Sequence, residues 1–181
     1  MSRLESLTAV HGPARLPGYD PQAHGRGIVH LGIGAFHRAH QAVMTDDALA
    51  AQGGDWRITG VSLRSTEVAQ ALNPQNGLYT LIERGAAGTS ARVIGAIRDV
   101  IAADPAATLA ALVDAQVRIV TLTVTEKGYG IDRARRAPDP RHPAVAADLA
   151  DPAHPSGALG LLTEALRLRR AGMPLVVWNR S

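Results

Sequence analysis

Gly32-Ile33-Gly34 ends a short apolar run, Ile28 to Leu31, and leads straight into a helix-forming segment. Strand, glycine turn and helix start come in the order that a bound phosphate needs. Glycine lets the main chain approach an anion closely, and the unpaired amides of a helix start face it. The amides of Ile33, Gly34, Ala35 and Phe36 could hold a pyrophosphate, and Arg38 could add positive charge. Two glycines make a weak signal alone, because the dinucleotide fingerprint G-x-G-x-x-G asks for a third and His37 stands in its place. The competing reading is an ordinary tight turn, with Phe36 a core aromatic and Arg38 a surface residue. His37 and His40, three positions apart, could present two ligands on one helical face. No acidic or cysteine partner lies nearby and H-E-x-x-H is absent, so no metal is expected. Hydrogen bonds to the loops around the turn are the expected use of both.

Two further places could carry chemistry. An NAD site usually has an acid about 20 residues beyond its glycines, where it accepts the ribose hydroxyls. Here the second apolar run ends in Ser62-Leu63-Arg64-Ser65, and no carboxylate follows until Glu67. Arginine and serines suit a 2′-phosphate, which keeps NADP open beside NAD; otherwise Arg64 points to solvent or stacks on adenine. Glu126 follows a β-branched run, Val117 to Val124, at the carboxyl edge where sheets of this class bind their ligands. A carboxylate there could relay a proton. Its alternative role is to cap the next turn.

The apolar pattern supplies the elements that must position these residues. Residues 1–26 are rich in proline, glycine and histidine and read as an irregular lead-in; residues 27–181 read as a dinucleotide-binding domain. After the strand at Ile28 to Leu31, the segment Ala39 to Gln52 has Ala39, Ala42, Val43, Leu49 and Ala50 at helical spacing, and Gly53-Gly54 stops it. Trp56 to Leu63 is a second strand and Thr66 to Leu72 a short helix. Leu78 to Glu83 and Arg92 to Arg98 form a strand pair joined by the loop Gly85 to Ser90. Asp104-Pro105 starts a helix with a capping carboxylate and a proline at the first helical position, and Leu109, Leu112 and Val113 face the core. Val117 to Val124 reads as a strand buried on both faces. Pro138 to Pro143 is a turn-rich excursion. Ser156 to Ala171 is a helix capped by Ser156, with Leu159, Leu162 and Leu166 on one face and Gly172 as terminator. Leu175 to Trp178 begins a last strand. This alternation predicts an α/β fold, a doubly wound (Rossmann-type) and mostly parallel sheet, incomplete at its C-terminal end. The pair at Leu78 and Arg92 is then a local elaboration of that sheet.

Composition narrows the function classes. The 181 residues, 46% of them hydrophobic and 19% charged, suffice for one core. A net charge of +3 invites nucleic acid, but aromatics at 3% give no stacking platform for single strands. The 19 basic residues are scattered apart from Arg133 to Arg141 and Arg167 to Arg170, so no nucleic-acid partner is expected. With no cysteine, disulfide and thiolate chemistry are excluded. Neither a signal-peptide core nor an apolar run of membrane-spanning length occurs, so the expectation is a cytoplasmic protein without a membrane partner.

Gly32-x-Gly34-x-Phe36-His37-Arg38-Ala39-His40-Gln41 resembles the signature that opens the mannitol dehydrogenase family, the long-chain polyol dehydrogenases and hexuronate (fructuronate, tagaturonate) reductases. Gly60 to Ser65, Leu72 to Leu81 and Thr121 to Tyr129 resemble its next three landmarks in the same order. His142-Pro143 and Ser156 to Leu162 resemble two more, so the similarity runs from Gly27 to Pro174. The resemblance implies the coenzyme-binding part of an oxidoreductase acting on the CH–OH group of a small polyol or hexuronate. It places Gly32, Ile33, Gly34, Ala35, Phe36, Arg38, Arg64 and Thr125 at the coenzyme, NAD with NADP open, and requires no metal. It also puts Glu126, within T-x-T-E-x-G-Y, beside the nicotinamide and its proton path.

The family's base is a lysine in K-x-x-x-x-N-x-x-H, within a second, helical domain. Lys127 does not match, because Asp132 and Arg135 stand where asparagine and histidine belong. The V-D-R signature is missing too, and Trp178-Asn179 departs from the usual S-C-D-N. A fragment without the catalytic domain, inactive alone, is therefore the leading expectation. The rivals are a non-catalytic nucleotide-binding module, a degenerate gene product, and a methyltransferase with a similar glycine turn. The last is disfavoured because such sites hold ribose with a carboxylate. An unpaired strand edge at the end of the sheet invites self-association.

Overall fold

The computed structural model describes residues 3–86, 88–124, 126–169 and 174–179; for Glu126, Lys127, Trp178 and Asn179 it describes the main chain only. β1 (Arg26–Leu31) ends at the glycine turn and is followed by α1 (Ala35–Ala39), α2 (Gln41–Gln52), β2 (Arg57–Ser62) and α3 (Glu67–Leu72). Next come β3 (Tyr79–Gly85), β4 (Gly88–Ile94), β5 (Ile97–Ala102), α4 (Pro105–Val113) and β6 (Ile119–Leu122). The remainder comprises α5 (Glu126–Tyr129), β7 (Ile131–Asp132), β8 (Ala137–Pro138), α6 (Pro143–Ala150), α7 (Ala158–Leu168) and β9 (Val176–Asn179).

Strands β5-β2-β1-β6-β9 form a five-stranded sheet in that order, parallel at every pairing. The chain winds outward from β1 through β2 to β5, then returns across it to β6 and β9. Where that direction reverses, between β1 and β6, the carboxyl ends open a crevice, the usual ligand position of doubly wound sheets. Alternate residues of β1 face opposite sides. Val29 and Leu31 join Val120, Leu112 and Leu161 under α4 and α7, whereas Ile28 joins Leu49, Ile58, Leu72 and Ile97 under α2 and α3. His30 shares the side of Ile28 and is fully buried.

Several elements differ from the sequence expectation, each for a local reason. The expected helix Ala39 to Gln52 is α2, starting at Gln41, and the short α1 precedes it, because His40, at φ −125° and ψ −78°, breaks the spiral. The expected strand Arg92 to Arg98 is two. Gly95 and Ala96 part the β3–β4 hairpin, a separate two-stranded sheet, from β5, which joins the main sheet beside β2. The Gly95 amide turns to the Asp46 carboxylate at 2.8 Å, which fixes that departure. The hairpin loop is shorter than Gly85 to Ser90, since Gly85 already pairs with Gly88. α6 begins at Pro143, where only a turn was expected. α7 is capped by Gly157, not Ser156, and the carboxylate of Asp148 accepts from the amides of Ser156 (2.8 Å) and Gly157 (3.1 Å). Its buried face is Ala158, Leu161, Leu162 and Ala165, and Leu166 is exposed. Ala171 and Gly172 lie outside the described residues. By contrast, Asp104 caps α4 as expected, accepting from the Ala107 amide at 2.8 Å.

Candidate functional site

The turn after β1 is held by the neighbouring strands. Gly32 sits at φ +99°, and a Cβ there would come within 3.0 Å of the Thr123 main chain, so only glycine fits. The amides of Gly32 and Ile33 both donate to the Val61 carbonyl (2.9 and 3.1 Å), and that of Gly34 to Gly32 O (2.7 Å). The Ile33 amide is thus paired with the Val61 carbonyl of β2. The Ile33 side chain instead packs over Gly60, where a Cβ would lie 2.0 Å from Cδ1. The amides of Ala35 and Phe36 belong to the first turn of α1, which has no partner for them within the helix.

Beneath the turn lie two stacked histidines. The rings of His30 and His37 are 3.6 Å apart and 18° from parallel, both with no exposed surface. His30 Nδ1 lies 2.7 Å from Thr121 Oγ1, and its Nε2 lies 3.0 Å from Thr123 Oγ1 and 3.2 Å from Gly32 O. Thr123 Oγ1 also donates to Gly32 O at 2.8 Å. This network assigns the Nε2–H tautomer to His30, with Thr121 donating to Nδ1. Neither ring nitrogen of His37 has a partner among the described residues, contrary to the expected loop hydrogen bonds; only His40 makes one, to Phe36 O at 2.8 Å. Burial lowers the pKa of His30 to about 4. Burial, reinforced by the nearby charges of His30 and Arg38, lowers that of His37 to about 2. Both rings are neutral at pH 7 and serve as packing beneath the turn.

A cleft of about 370 Å³ opens at the carboxyl ends of β1, β2 and β6. Gly32, Ile33 and Gly34 form one wall, the Ser62-to-Ser65 segment another, and Thr123, Val124 and Gly128 a third. Of the expected site residues, Gly32, Ile33, Gly34 and Arg64 therefore share it. Ala35 is exposed outside its lining, and Phe36, 56% exposed, stacks on His40 at 4.3 Å instead of entering the core. Arg38 donates to Ile33 O at 3.0 Å and braces the turn from behind. Thr125 lies outside the described residues, as does the side chain of Glu126. The main chain of Glu126 opens α5 between two lining residues, Val124 and Gly128. His30 and Gly60 were missed by sequence reasoning. The signal for His30 was a polar residue on the apolar face of a central strand; Gly60 carried none, because the Ile33 contact is non-local.

Among the described residues no group of three or more histidines and acids is placed to hold a metal ion. No helix there is long and apolar enough to cross a membrane. Comparison with known proteins gives a consistent result. The family model described as the mannitol dehydrogenase Rossmann domain matches residues 26–177. Mannitol 2-dehydrogenase of Cereibacter sphaeroides is 48% identical over 159 residues, 85% of this chain and 33% of the relative. Polyol:NADP oxidoreductase of Gluconobacter oxydans is 42% identical, over 94% of this chain and 36% of the relative. The solved ternary complex of Pseudomonas fluorescens mannitol 2-dehydrogenase with NAD and D-mannitol superposes with a TM-score of 0.89 at 38% identity, covering 98% of this chain and 38% of that one. The chain spans about a third of the length of the curated relatives it matches.

Proposed function

The chain belongs to the mannitol dehydrogenase family, and from that membership we propose that it is the coenzyme-binding part of an NAD(P)-dependent oxidoreductase acting on the CH–OH group of a polyol or hexuronate. The observation that carries this reading is the cleft over the glycine turn. An added Cβ at Gly34 would meet nothing nearer than Gly32 O at 3.9 Å, so the main chain there is open to a bulky bound group. No carboxylate among the described lining residues repels a diphosphate. The residues present fit the coenzyme: the turn at Gly32 and Gly34, with the free amides of Ala35 and Phe36, holds the diphosphate, and Arg38 keeps the turn in shape.

When bound, the nicotinamide ring exchanges a hydride with the carbinol carbon of the substrate. Glu126, at the start of α5, holds and passes the proton that accompanies this exchange. His30 acts indirectly, fixing the Gly32 carbonyl so that the turn stays preformed. Lys127 does not fit the family's base motif, so these 181 residues alone turn over little or no substrate. Related proteins are named for mannitol and for polyols, and their names or titles carry NAD in one case and NADP in another.

Titration of the purified chain with NADH, followed by nicotinamide fluorescence, tests the proposal. Saturable binding is expected, weakened at least about tenfold in Gly34→Val, whose Cβ would meet nothing nearer than Gly32 O at 3.9 Å and whose bulk would project where the coenzyme lies. Absence of binding in the parent chain refutes the coenzyme reading. Steady oxidation of mannitol or reduction of fructuronate by the same sample refutes the inactivity.

A further inference from the structure

Resting on the coenzyme reading above, we infer that the cleft selects the phosphorylated coenzyme: Arg64 and Ser65 form a subsite for the 2′-phosphate of NADP(H), and NADPH binds more tightly than NADH. When a diphosphate lies over the turn after β1, the adenosine ribose falls beside the end of the neighbouring β2. β1 and β2 are paired up to Leu31 and Val61 and β2 ends at Ser62, so Leu63 to Ser65 leave the sheet next to the turn. An unphosphorylated ribose is recognised there by a carboxylate that accepts its two hydroxyls. Among the described residues this cleft has no carboxylate. Glu67, the nearest acid in the chain, is not part of the lining; its amide donates to Ser65 Oγ at 3.2 Å. That bond uses a lone pair and leaves the Ser65 hydroxyl hydrogen free to donate elsewhere.

Arg64 supplies the charge of the subsite. It is exposed, lines the cleft, and has no ion pair or hydrogen bond to any described residue. Other arginines are committed, Arg92 to Asp46 and Asp47 and Arg167 to Glu164. A free guanidinium beside the hydroxyls of Ser62 and Ser65 matches a phosphate dianion, which takes two parallel N–H bonds from arginine. The same set offers nothing that accepts from a ribose 2′-hydroxyl with a charge-assisted bond.

The test is parallel titration of the 181-residue chain with NADH and NADPH at one ionic strength, with 5′-ADP and 2′,5′-ADP as competitors. NADPH is expected to bind at least about tenfold more tightly, and 2′,5′-ADP to compete better than 5′-ADP. Arg64→Gln removes most of that difference by weakening NADPH far more than NADH, and Ser65→Asp inverts it. Both positions are exposed, so both variants keep the fold, checked by circular dichroism. Equal affinities, tighter NADH, or a preference that survives Arg64→Gln overturn the inference and leave the coenzyme reading standing. Failure of both coenzymes to bind removes the reading itself, and this inference with it.

Discussion

His37 occupies the position where a dinucleotide fingerprint carries its third glycine, and its ring is used as packing against His30 at 3.6 Å. A buried neutral imidazole makes folding depend on pH. The unfolded chain protonates these rings near pH 6.5, whereas burial holds the folded values at about 4 and about 2. Below pH 6.5 the unfolded state therefore binds more protons, and stability falls as pH drops toward the folded value of His30. The loss is roughly 2 kcal/mol for each ring by pH 5. Asp47 and Asp114, whose values are lowered by their hydrogen bonds, contribute only further down. Urea unfolding between pH 7 and pH 5 measures the slope, and His37→Leu is expected to remove about half of it. A flat profile in the parent chain contradicts the neutral stacked pair. Little of this was legible beforehand: the sequence shows two histidines seven residues apart, and only the path of the turn puts one ring on the other.

Elements were legible where a cap or a period marked them, and were missed where a tertiary contact decides. Asp104-Pro105 announces α4, and a β-branched run announces β6, because each signal is contained in a few adjacent residues. β5 was missed because the expected strand Arg92 to Arg98 ran across the break at Gly95, and its separation from the hairpin depends on the Gly95 amide meeting Asp46 on α2. The start of α7 makes the same point. Ser156 looks like its cap, yet the Asp148 carboxylate on α6 accepts the amides at that end, and helix and cap come from different elements. Asp148→Ala is expected to destabilise the chain by about 1 kcal/mol, whereas Ser156→Ala has a smaller effect. Chemical denaturation of both variants checks the order; equal losses assign the cap to the serine after all. The candidate site was legible in part for the same reason. Its glycine turn and Arg64 lie within short contiguous stretches, but the cleft joins three strands that are far apart in the chain.

At the scale of the molecule, the parallel order β5-β2-β1-β6-β9 accounts for the position of the cleft, because every strand points its carboxyl end the same way. The lead-in before β1 belongs to this architecture. Arg15 pairs with Arg92, donating to Ala91 O (2.9 Å) and accepting from Val93 (2.8 Å), so a stretch read as irregular in sequence fastens along β4. Tyr19 donates to Asp46 at 2.7 Å, the same carboxylate that receives Arg92 and the Gly95 amide. Asn76 donates to Glu5 O at 2.9 Å. For anyone preparing the protein, the family match starting at residue 26 is consequently a poor place to cut. Expression from Arg26 would strip the seam off the hairpin and leave Asp46 one donor short, and such a trimmed chain is expected to melt several degrees lower than the 181-residue one. Matching thermal midpoints for the two lengths would show that the seam is ornamental.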